Sequence, residues 1–419
     1  MARIPVMTLK PAQVLAIIGQ GYVGLPLAMA AVDAGWNVIG VDNLESKVDQ
    51  INRGASPVED ISDQHLQIAI SSGAYRATND FSIVKLASII AICVPTPLNN
   101  EREPDLEPLR NAAMGIAPYV ANKTLIVSES TSYPGTLRDF IIPIIESVKA
   151  KESTTLFYAS APERVNPGDQ VWNQKNTPRL IGGIDEESKI KAQEFYNSIC
   201  DAVVVVSSPE VAEAAKLLEN TFRLVNIALV NEFVQLANSG GINATEIFDA
   251  ASTKPYGFMS FRPGVGVGGH CIPVDPLYLT WWARANGTKA DFVELANNVN
   301  LSMPNYVAKR ALSVIDEGIT TPRILILGVA YKPGIRDVRE SPVLALRDVL
   351  IARGAEVAWF DPLVPSWEGT APADLGWDCD LAILATNQPG LNLDQLIAKN
   401  IKILDCTNSL GNLPGVILL

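Results

Sequence analysis

The sequence predicts an α/β protein: two Rossmann-like, doubly wound lobes joined by a long central helix and a helical segment. Three observations carry this expectation. Across roughly the first 200 residues, short continuous apolar runs alternate with helical stretches, and runs buried on both faces belong to a parallel sheet covered by helices. From Arg323 the same alternation resumes on a smaller scale. Between the two, residues 207–241 read as one helix with no strand signal.

Taken in order, "VLAIIGQGYVG" is a strand entering a glycine turn, "LPLAMAAVDAG" a helix closed by Gly35, and "NVIGVD" a second strand. "ASIIAICVPTP", "TLIVSES", "TLFYASAPER" and "AVVVV" read as further strands. The central helix has a capping-box start (Ser207 with Glu210), Pro209 near its first turn and a Gly240-Gly241 stop. About thirty residues at 1.5 Å each give a helix of roughly 45 Å. It is apolar on more than one face, through Leu217, Leu218, Phe222, Val225, Ile227, Leu229 and Phe233. Such a helix spans between domains or packs against a partner subunit. "RILILGVAY", "AEVAWFD", "CDLAILAT" and "IKILDC" then give the second α/β lobe, which opens strand-then-glycine without a full G-x-G-x-x-G. The expected domains are 1–206, 207–317 and 318–419.

Composition narrows the functional classes. The chain has 419 residues, 48% hydrophobic and 19% charged, with a net charge of −12. That balance argues against nucleic acid, because phosphate backbones need a basic face, but leaves room for a small phosphorylated ligand held by a few local donors. Cys93, Cys200, Cys271, Cys379 and Cys406 are far apart and form no C-x-x-C, so neither a zinc ribbon nor a disulfide framework is expected, and no metal. The apolar runs are strand-sized, the first twelve residues lack a signal-peptide core, and the expected setting is the reducing cytoplasm with no membrane contact.

Gly19-x-Gly21-x-x-Gly24 follows a strand and opens a helix, and Asp42 ends the next strand. Each part has a physical task in dinucleotide binding. Glycines allow a tight turn and close backbone approach, the helix N-terminus faces the pyrophosphate, and the carboxylate bonds the ribose 2′-hydroxyl. A carboxylate there repels a 2′-phosphate, so NAD is favoured over NADP; FAD uses the same fingerprint and is the rival.

"GVGVGGHCIPVDP", residues 264–276, sets one of two histidines beside Cys271. On residue type alone, Cys271 is a small buried hydrophobe. Against that, glycines at 264, 266, 268 and 269 remove side chains around it, and Asp275 follows four positions later. On the long helix, Lys216 and Asn220 stand at i, i+4 and share a face; a solvated surface lysine is the plainer alternative.

"GQGYVGLPLA", "VPTP", "SESTSYPGT", "APERVNPG", "EAAKLLENTFR", "GVGVGGHCIPVDP" and "GVAYKPGIRDVRESP" occur in that order over nearly the whole chain. This resembles the UDP-glucose/UDP-N-acetylhexosamine 6-dehydrogenase family. The resemblance implies a Rossmann-like NAD-binding N-terminal lobe, a UDP-binding C-terminal lobe and a homodimer through the central helix. It implies oxidation of a sugar C6 alcohol to the acid with two NAD⁺. An aldehyde lacks a hydride beside an oxyanion; adding the Cys271 thiolate gives a thiohemiacetal that has one, and leaves a thioester for water to cleave.

By the same resemblance Lys216 stabilises the oxyanion, Asn220 orients substrate or water, and Asp275 tunes Lys216 and accepts a proton. Glu163 and Thr131 match positions for water activation and for holding that water; a turn residue pairing with Arg164 is the plainer reading of Glu163. Gly19, Gly21, Tyr22, Val23, Gly24, Asp42, Lys47, Thr96, Glu129 and Arg339 match cofactor positions, Arg339 reaching NAD from the second lobe. Glu163, Arg164, Lys216, Asn220, Tyr256, Phe261, Arg262, Gly268, His270 and Lys332 match substrate positions, where Arg and Lys suit a diphosphate.

Two departures set the sugar. The UDP-glucose branch reads Ser-Cys-Phe-x-Lys-Asp around the thiol, where this chain has His270 to Asp275, and it carries a second glutamate where Pro167 stands. Both match the N-acetylhexosamine branch. UDP-N-acetylglucosamine is expected first, its manno epimer next and UDP-glucose third. His270 is expected to contact substrate or fix the loop, and His65 to lie on a helix surface. Two rivals remain: a Rossmann oxidoreductase with a single hydride step, for which Cys271 is dispensable, and a non-catalytic nucleotide-sugar-binding protein.

Overall fold

The computed structural model describes residues 13–149, 154–165, 171–269, 271–411 and 413–419, so His270 lies outside the described residues. The chain divides into two units, Met1–Leu218 and Glu219–Leu419, the division falling inside the long helix.

In the first unit the described elements run β1 (Val14–Ile18), α1 (Gly24–Asp33), β2 (Asn37–Val41), α2 (Glu45–Asn52), α3 (Asp63–Ser71), β3 (Tyr75–Thr78), β4 (Ile89–Ile92), α4 (Glu107–Ile116), β5 (Leu125–Ser128), α5 (Ile142–Lys149), β6 (Phe157–Ser160), β7 (Arg179–Gly183), α6 (Glu186–Ile199) and β8 (Val203–Val205). A π-helical turn, Thr136–Ile141, leads into α5. The sheet order is β3-β2-β1-β4-β5-β6-β7-β8. Along β1, Leu15 and Ile17 join one apolar cluster while Ala16 and Ile18 join another, so both faces are covered.

The sheet departs from the all-parallel expectation at one place: β7 runs antiparallel to β6, with Ala159 opposite Gly183 and Ser160 opposite Gly182. Strands β3 and β7 also escape an apolar-run reading, because each carries an arginine, Arg76 and Arg179.

The long helix is α7 (Pro209–Ser239), 31 residues. It starts at Pro209, so the Ser207 capping box does not form; Glu210 instead bonds Arg138 Nε at 2.7 Å and the Ser208 side chain. The glycine stop holds: Gly241 takes φ +68° just past the end. The second unit continues with α8 (Ala244–Ser252), α9 (Asp275–Ala285), α10 (Asp291–Ser313), β9 (Arg323–Leu327), α11 (Pro342–Ala352), β10 (Glu356–Phe360), β11 (Leu381–Leu384), α12 (Asp394–Ala398), β12 (Lys402–Asp405) and β13 (Val416–Leu418). Its sheet, β10-β9-β11-β12-β13, is parallel throughout.

The two sheets repeat one local design. The N–H of Gly19 donates to Val41 O at 2.7 Å, and that of Gly328 to Phe360 O at 2.8 Å. Asp42, after β2, accepts from Gln20 N and Leu44 N; Asp361, after β10, accepts from Val329 N and Leu363 N. In both sheets the glycine turn sits at the carboxyl end of the strand from which the order reverses, the place where open α/β sheets hold ligands.

Candidate active site and cofactor site

The three fingerprint glycines have three different reasons. A Cβ on Gly19, at φ +95°, would lie 2.5 Å from Cys93 O. One on Gly24 would lie 1.9 Å from Gly19 O, so that glycine lets α1 pack against the turn. Nothing lies within 4 Å of a Cβ on Gly21: its place is open, as close approach of a pyrophosphate demands. No side chain caps the start of α1, so the positive end of its dipole faces the turn, although Leu25 N–H is taken by Gly21 O at 3.1 Å and Pro26 has no N–H. Tyr22 and Val23 pack their apolar parts on the core, and Tyr22 OH bonds Glu59 at 3.0 Å.

Asp42 is buried and accepts from Gln20 N at 2.9 Å, Leu44 N at 3.1 Å and Lys47 Nζ at 2.9 Å. These three donors leave the carboxylate a further acceptor position, which a ribose hydroxyl would use. Gln20 is buried under the turn, where Tyr75 OH bonds its Oε1 at 2.7 Å. This groups all residues expected for the cofactor in the first unit except Arg339, with Thr96 and Glu129 buried at the ends of β4 and β5.

Glu129 and Glu163 meet at one buried guanidinium. Arg179 Nη1 lies 3.0 Å from Glu129 Oε2 and Nη2 lies 2.8 Å from Glu163 Oε2. Burial opposes ionisation of both acids, and the outcomes differ. Burial prevails at Glu129 and pushes its carboxyl up to about 7. At Glu163, Arg179, the Val165 amide and Gln174 outweigh burial and hold the carboxyl below its usual range. Arg164 sends its backbone N–H to Glu163 and its side chain to Pro178 O at 2.7 Å. The pairing expected between Glu163 and Arg164 is therefore made by Arg164's backbone, while Arg179 supplies the charge. Thr131 stands half-buried two residues after Glu129.

One turn before Lys216 on α7, buried Glu213 accepts the N–H groups of Gly135 at 2.7 Å and Leu137 at 3.1 Å and so caps the π-helical turn. Lys216 and Asn220 are both buried on one face of α7. Neither is the solvated surface residue that helical spacing alone allows. Asn220 Nδ2 donates to Asp275 Oδ2 at 2.5 Å. The N–H groups of Val274 and Asp275 donate to Cys271 O at 3.2 and 2.8 Å, so the thiol stands at the turn that starts α9, where a helix attracts negative charge. Cys271 is exposed and the other four cysteines are buried, which removes the packing role for this one; all five lie among the described residues and no disulfide joins them.

The glycines before Cys271 serve packing rather than an open space. A Cβ on Gly268 would lie 2.7 Å from Tyr331 Cβ and 2.9 Å from Pro342 Cδ, and one on Gly269 would lie 2.7 Å from Tyr331 Cε2. A Cβ on Gly266 would lie 3.0 Å from Pro342 Cβ and 3.1 Å from Asn300 O, a somewhat looser fit. Only Gly264 is open, and its N–H bonds Asn231 Oδ1 at 2.9 Å. Hence the "AYKPG" loop lies directly on the glycine segment.

Around that loop, Gln388 Nε2 donates to Ile335 O at 3.0 Å and its Oε1 accepts from Gly334 N at 2.8 Å, which fixes the segment bearing Lys332. Arg339, expected to reach the cofactor, is folded back on Asp337, with Nη2 at 2.6 Å. Arg262 pairs with Asp249 of α8, Phe261 meets Phe222 edge-on with ring centroids 6.0 Å apart, and Tyr256 is exposed under Lys254.

The family's NAD-binding domain matches residues 13–200, its central domain residues 210–302 and its UDP-binding domain residues 325–410. The chain belongs to the UDP-glucose/GDP-mannose dehydrogenase family. It is similar to a UDP-N-acetyl-D-mannosamine dehydrogenase of Pyrococcus horikoshii, 33% identical over 381 residues, 90% of this chain and 89% of that one. It is also 33% identical to a UDP-N-acetyl-D-glucosamine 6-dehydrogenase of Salmonella typhi over 84% of this chain and 83% of that one. A solved structure of the Pyrococcus UDP-D-ManNAc dehydrogenase aligns with a TM-score of 0.87 and 32% identity, covering 97% of this chain and 98% of that one.

The protein is thus an NAD-dependent nucleotide-sugar dehydrogenase, and the open Gly21 cradle with Asp42 fits NAD. Sequence reasoning missed Arg179, Tyr196 and Gln388. A cation heading an otherwise apolar strand was the available signal for Arg179, since a buried guanidinium needs a carboxylate. Tyr196 and Gln388 give none, because helix and loop residues acquire such partners only when distant segments meet.

Proposed function

We propose that this dehydrogenase oxidises the C6 alcohol of a UDP-N-acetylhexosamine to the uronic acid in two NAD-dependent steps, through a thiohemiacetal and a thioester on Cys271. The observation that carries this reading is the exposed Cys271 at the head of α9, in the turn whose Asp275 is bonded to Asn220. Bound NAD⁺ accepts a hydride in each oxidation. The chain's own groups do the rest. Cys271 adds to the aldehyde carbon, and Lys216, buried and cationic, balances the negative charge that develops on oxygen. Asn220 holds Asp275, which takes protons from the sugar hydroxyl or the thiol. Lys332, on the loop fixed by Gln388, binds the diphosphate.

The sugar belongs to the N-acetylhexosamine class. We place the manno epimer first, because both the Pyrococcus relative and its solved structure are named for it, and the gluco epimer second, on the Salmonella relative. This reverses the order expected from sequence, which no single residue supports. The functional divisions are 1–206, 207–317 and 318–419. The working form is a homodimer: Leu218, Phe222, Leu229, Phe233 and Leu236 are exposed along one face of α7 at the spacing of a helix seam. Among the described residues no helix is long and apolar enough to cross a membrane, and five cysteines without a disulfide support a cytoplasmic setting.

The test is NADH production at 340 nm with UDP-N-acetylmannosamine, UDP-N-acetylglucosamine and UDP-glucose, each run to completion with wild type and Cys271→Ser. Two NADH per N-acetyl sugar, lost in the variant, support the reading. One NADH per sugar, indifferent to Cys271→Ser, overturns it, and no turnover of any sugar despite tight binding points to the non-catalytic alternative.

A further inference from the structure

The carboxylates at the two glycine turns carry different loads. Asp42 takes three donors in the first sheet. Asp361, its counterpart in the second, takes four: Val329 N at 2.9 Å, Ala330 N at 3.2 Å, Leu363 N at 2.9 Å and Gln388 Nε2 at 3.3 Å. An ionised carboxylate offers about four lone-pair positions, so Asp361 has none left for a ribose hydroxyl. The fourth donor is the informative one. Gln388 is 2% exposed and its amide is engaged at both ends. Nε2 donates to Ile335 O at 3.0 Å as well as to Asp361, and Oε1 accepts from Gly334 N at 2.8 Å. Turning the amide over would set its oxygen against two acceptors and its nitrogen against an N–H, so one orientation satisfies the site.

We propose that Asp361 and Gln388 are a positioning pair for the nucleotide: Asp361, withdrawn from ribose recognition, aims Gln388, and Gln388 holds the 331–335 loop with Lys332 set for the diphosphate. The inference rests on the reading that Lys332 binds that group. The loop is anchored on its other side as well. The Tyr331 side chain lies against Gly268 and Gly269, and its N–H donates to Asp337 O at 3.1 Å. Lys332 therefore stands between two anchors, and a backbone fixed before the ligand arrives lowers the ordering cost of binding.

The pair works only if the side chain at 388 can donate and accept at once. A carboxyl there would lose its donor on ionising and would face Asp361, so burial and that neighbour would keep it protonated to higher pH than usual. Among the described residues Asp361 is the one ionisable group bonded to Gln388. On the loop and the segment after it, Lys332 is half-buried, Arg336 is exposed and Arg339 pairs with Asp337. Asp405, after the neighbouring strand β12, is filled by Thr407, Ser409 and Leu410.

The test is calorimetric binding of UDP, without NAD, to wild type, Lys332→Ala, Gln388→Ala and Gln388→Glu, with NAD titrated separately. Gln388→Ala is expected to weaken UDP about tenfold and to leave NAD unchanged. Gln388→Glu gives a readout that a merely structural role would not move. Relative to wild type at the same pH, which cancels the titration of UDP itself, binding is about tenfold weaker at pH 8 and recovers as the pH falls to 5.5, where the introduced carboxyl regains a proton to donate. A ratio constant over that range overturns the inference, as does Gln388→Ala binding UDP like wild type. Equal weakening of UDP and NAD in both Gln388 variants also overturns it, by reducing the pair to a structural role. UDP binding untouched by Lys332→Ala overturns the diphosphate reading, whereas loss in Lys332→Ala with none in Gln388→Ala overturns this inference alone.

Discussion

Gly269→Ala is the sharpest probe of the glycine segment before the thiol. The backbone there sits at φ +86°, and the added Cβ would lie 2.7, 2.9 and 3.0 Å from three ring carbons of Tyr331. Holding a Cβ in the left-handed region costs about 1–2 kcal/mol. Forcing a half-buried ring aside adds about 1–3 kcal/mol, the usual penalty of overpacking. The sum, about 2–5 kcal/mol, falls on a unit of about 200 residues, where each kcal/mol moves Tm by roughly 2–4 °C, so a loss of roughly 4–20 °C is expected. Gly264→Ala is the control in the same segment: its nearest neighbour would be 3.9 Å away and its φ is not positive, so its Tm stays within about 2 °C. Thermal unfolding of both variants decides the matter, with the alkylation rate of Cys271 as a local readout. If Gly269→Ala melts within about 1 °C of Gly264→Ala, the glycines are not there for Tyr331, and the open-space reading returns.

Other outcomes follow from the same geometry. A chromogenic disulfide reagent titrates one fast thiol in the native protein and the other four only after denaturation, and Cys271→Ser removes the fast one. Asp42→Ala weakens NAD at least about tenfold and narrows its advantage over NADP, read by cofactor titration. Burial pushes Glu213 up to about 8 and Glu129 up to about 7, so between about pH 5 and pH 8 the folded chain binds more protons than the unfolded one. These two groups therefore make stability fall as pH rises through that window, and Glu213→Gln lessens the slope of Tm against pH; an unchanged slope refutes the assignment. Glu substitutions at Leu229 and Leu236 yield monomers by sedimentation velocity, and a dimer that survives both sends the search for its interface elsewhere.

Sequence by itself determined the elements whose signals are local. Runs such as "VLAII" and "RILIL" are buried on both faces and could only be strands of a covered sheet, and the Gly19, Gly21, Gly24 spacing with Asp42 fixed the cofactor turn, because those tasks depend on backbone freedom within a few residues. Lys216 and Asn220 were legible as one face because helical periodicity dictates it. Tertiary structure decided what depends on distant neighbours. It turned β7 against its neighbour, filled the glycine segment with Tyr331 and placed Arg179 between Glu129 and Glu163. A residue's type states what partner it needs, but burial and the meeting of remote segments choose the partner.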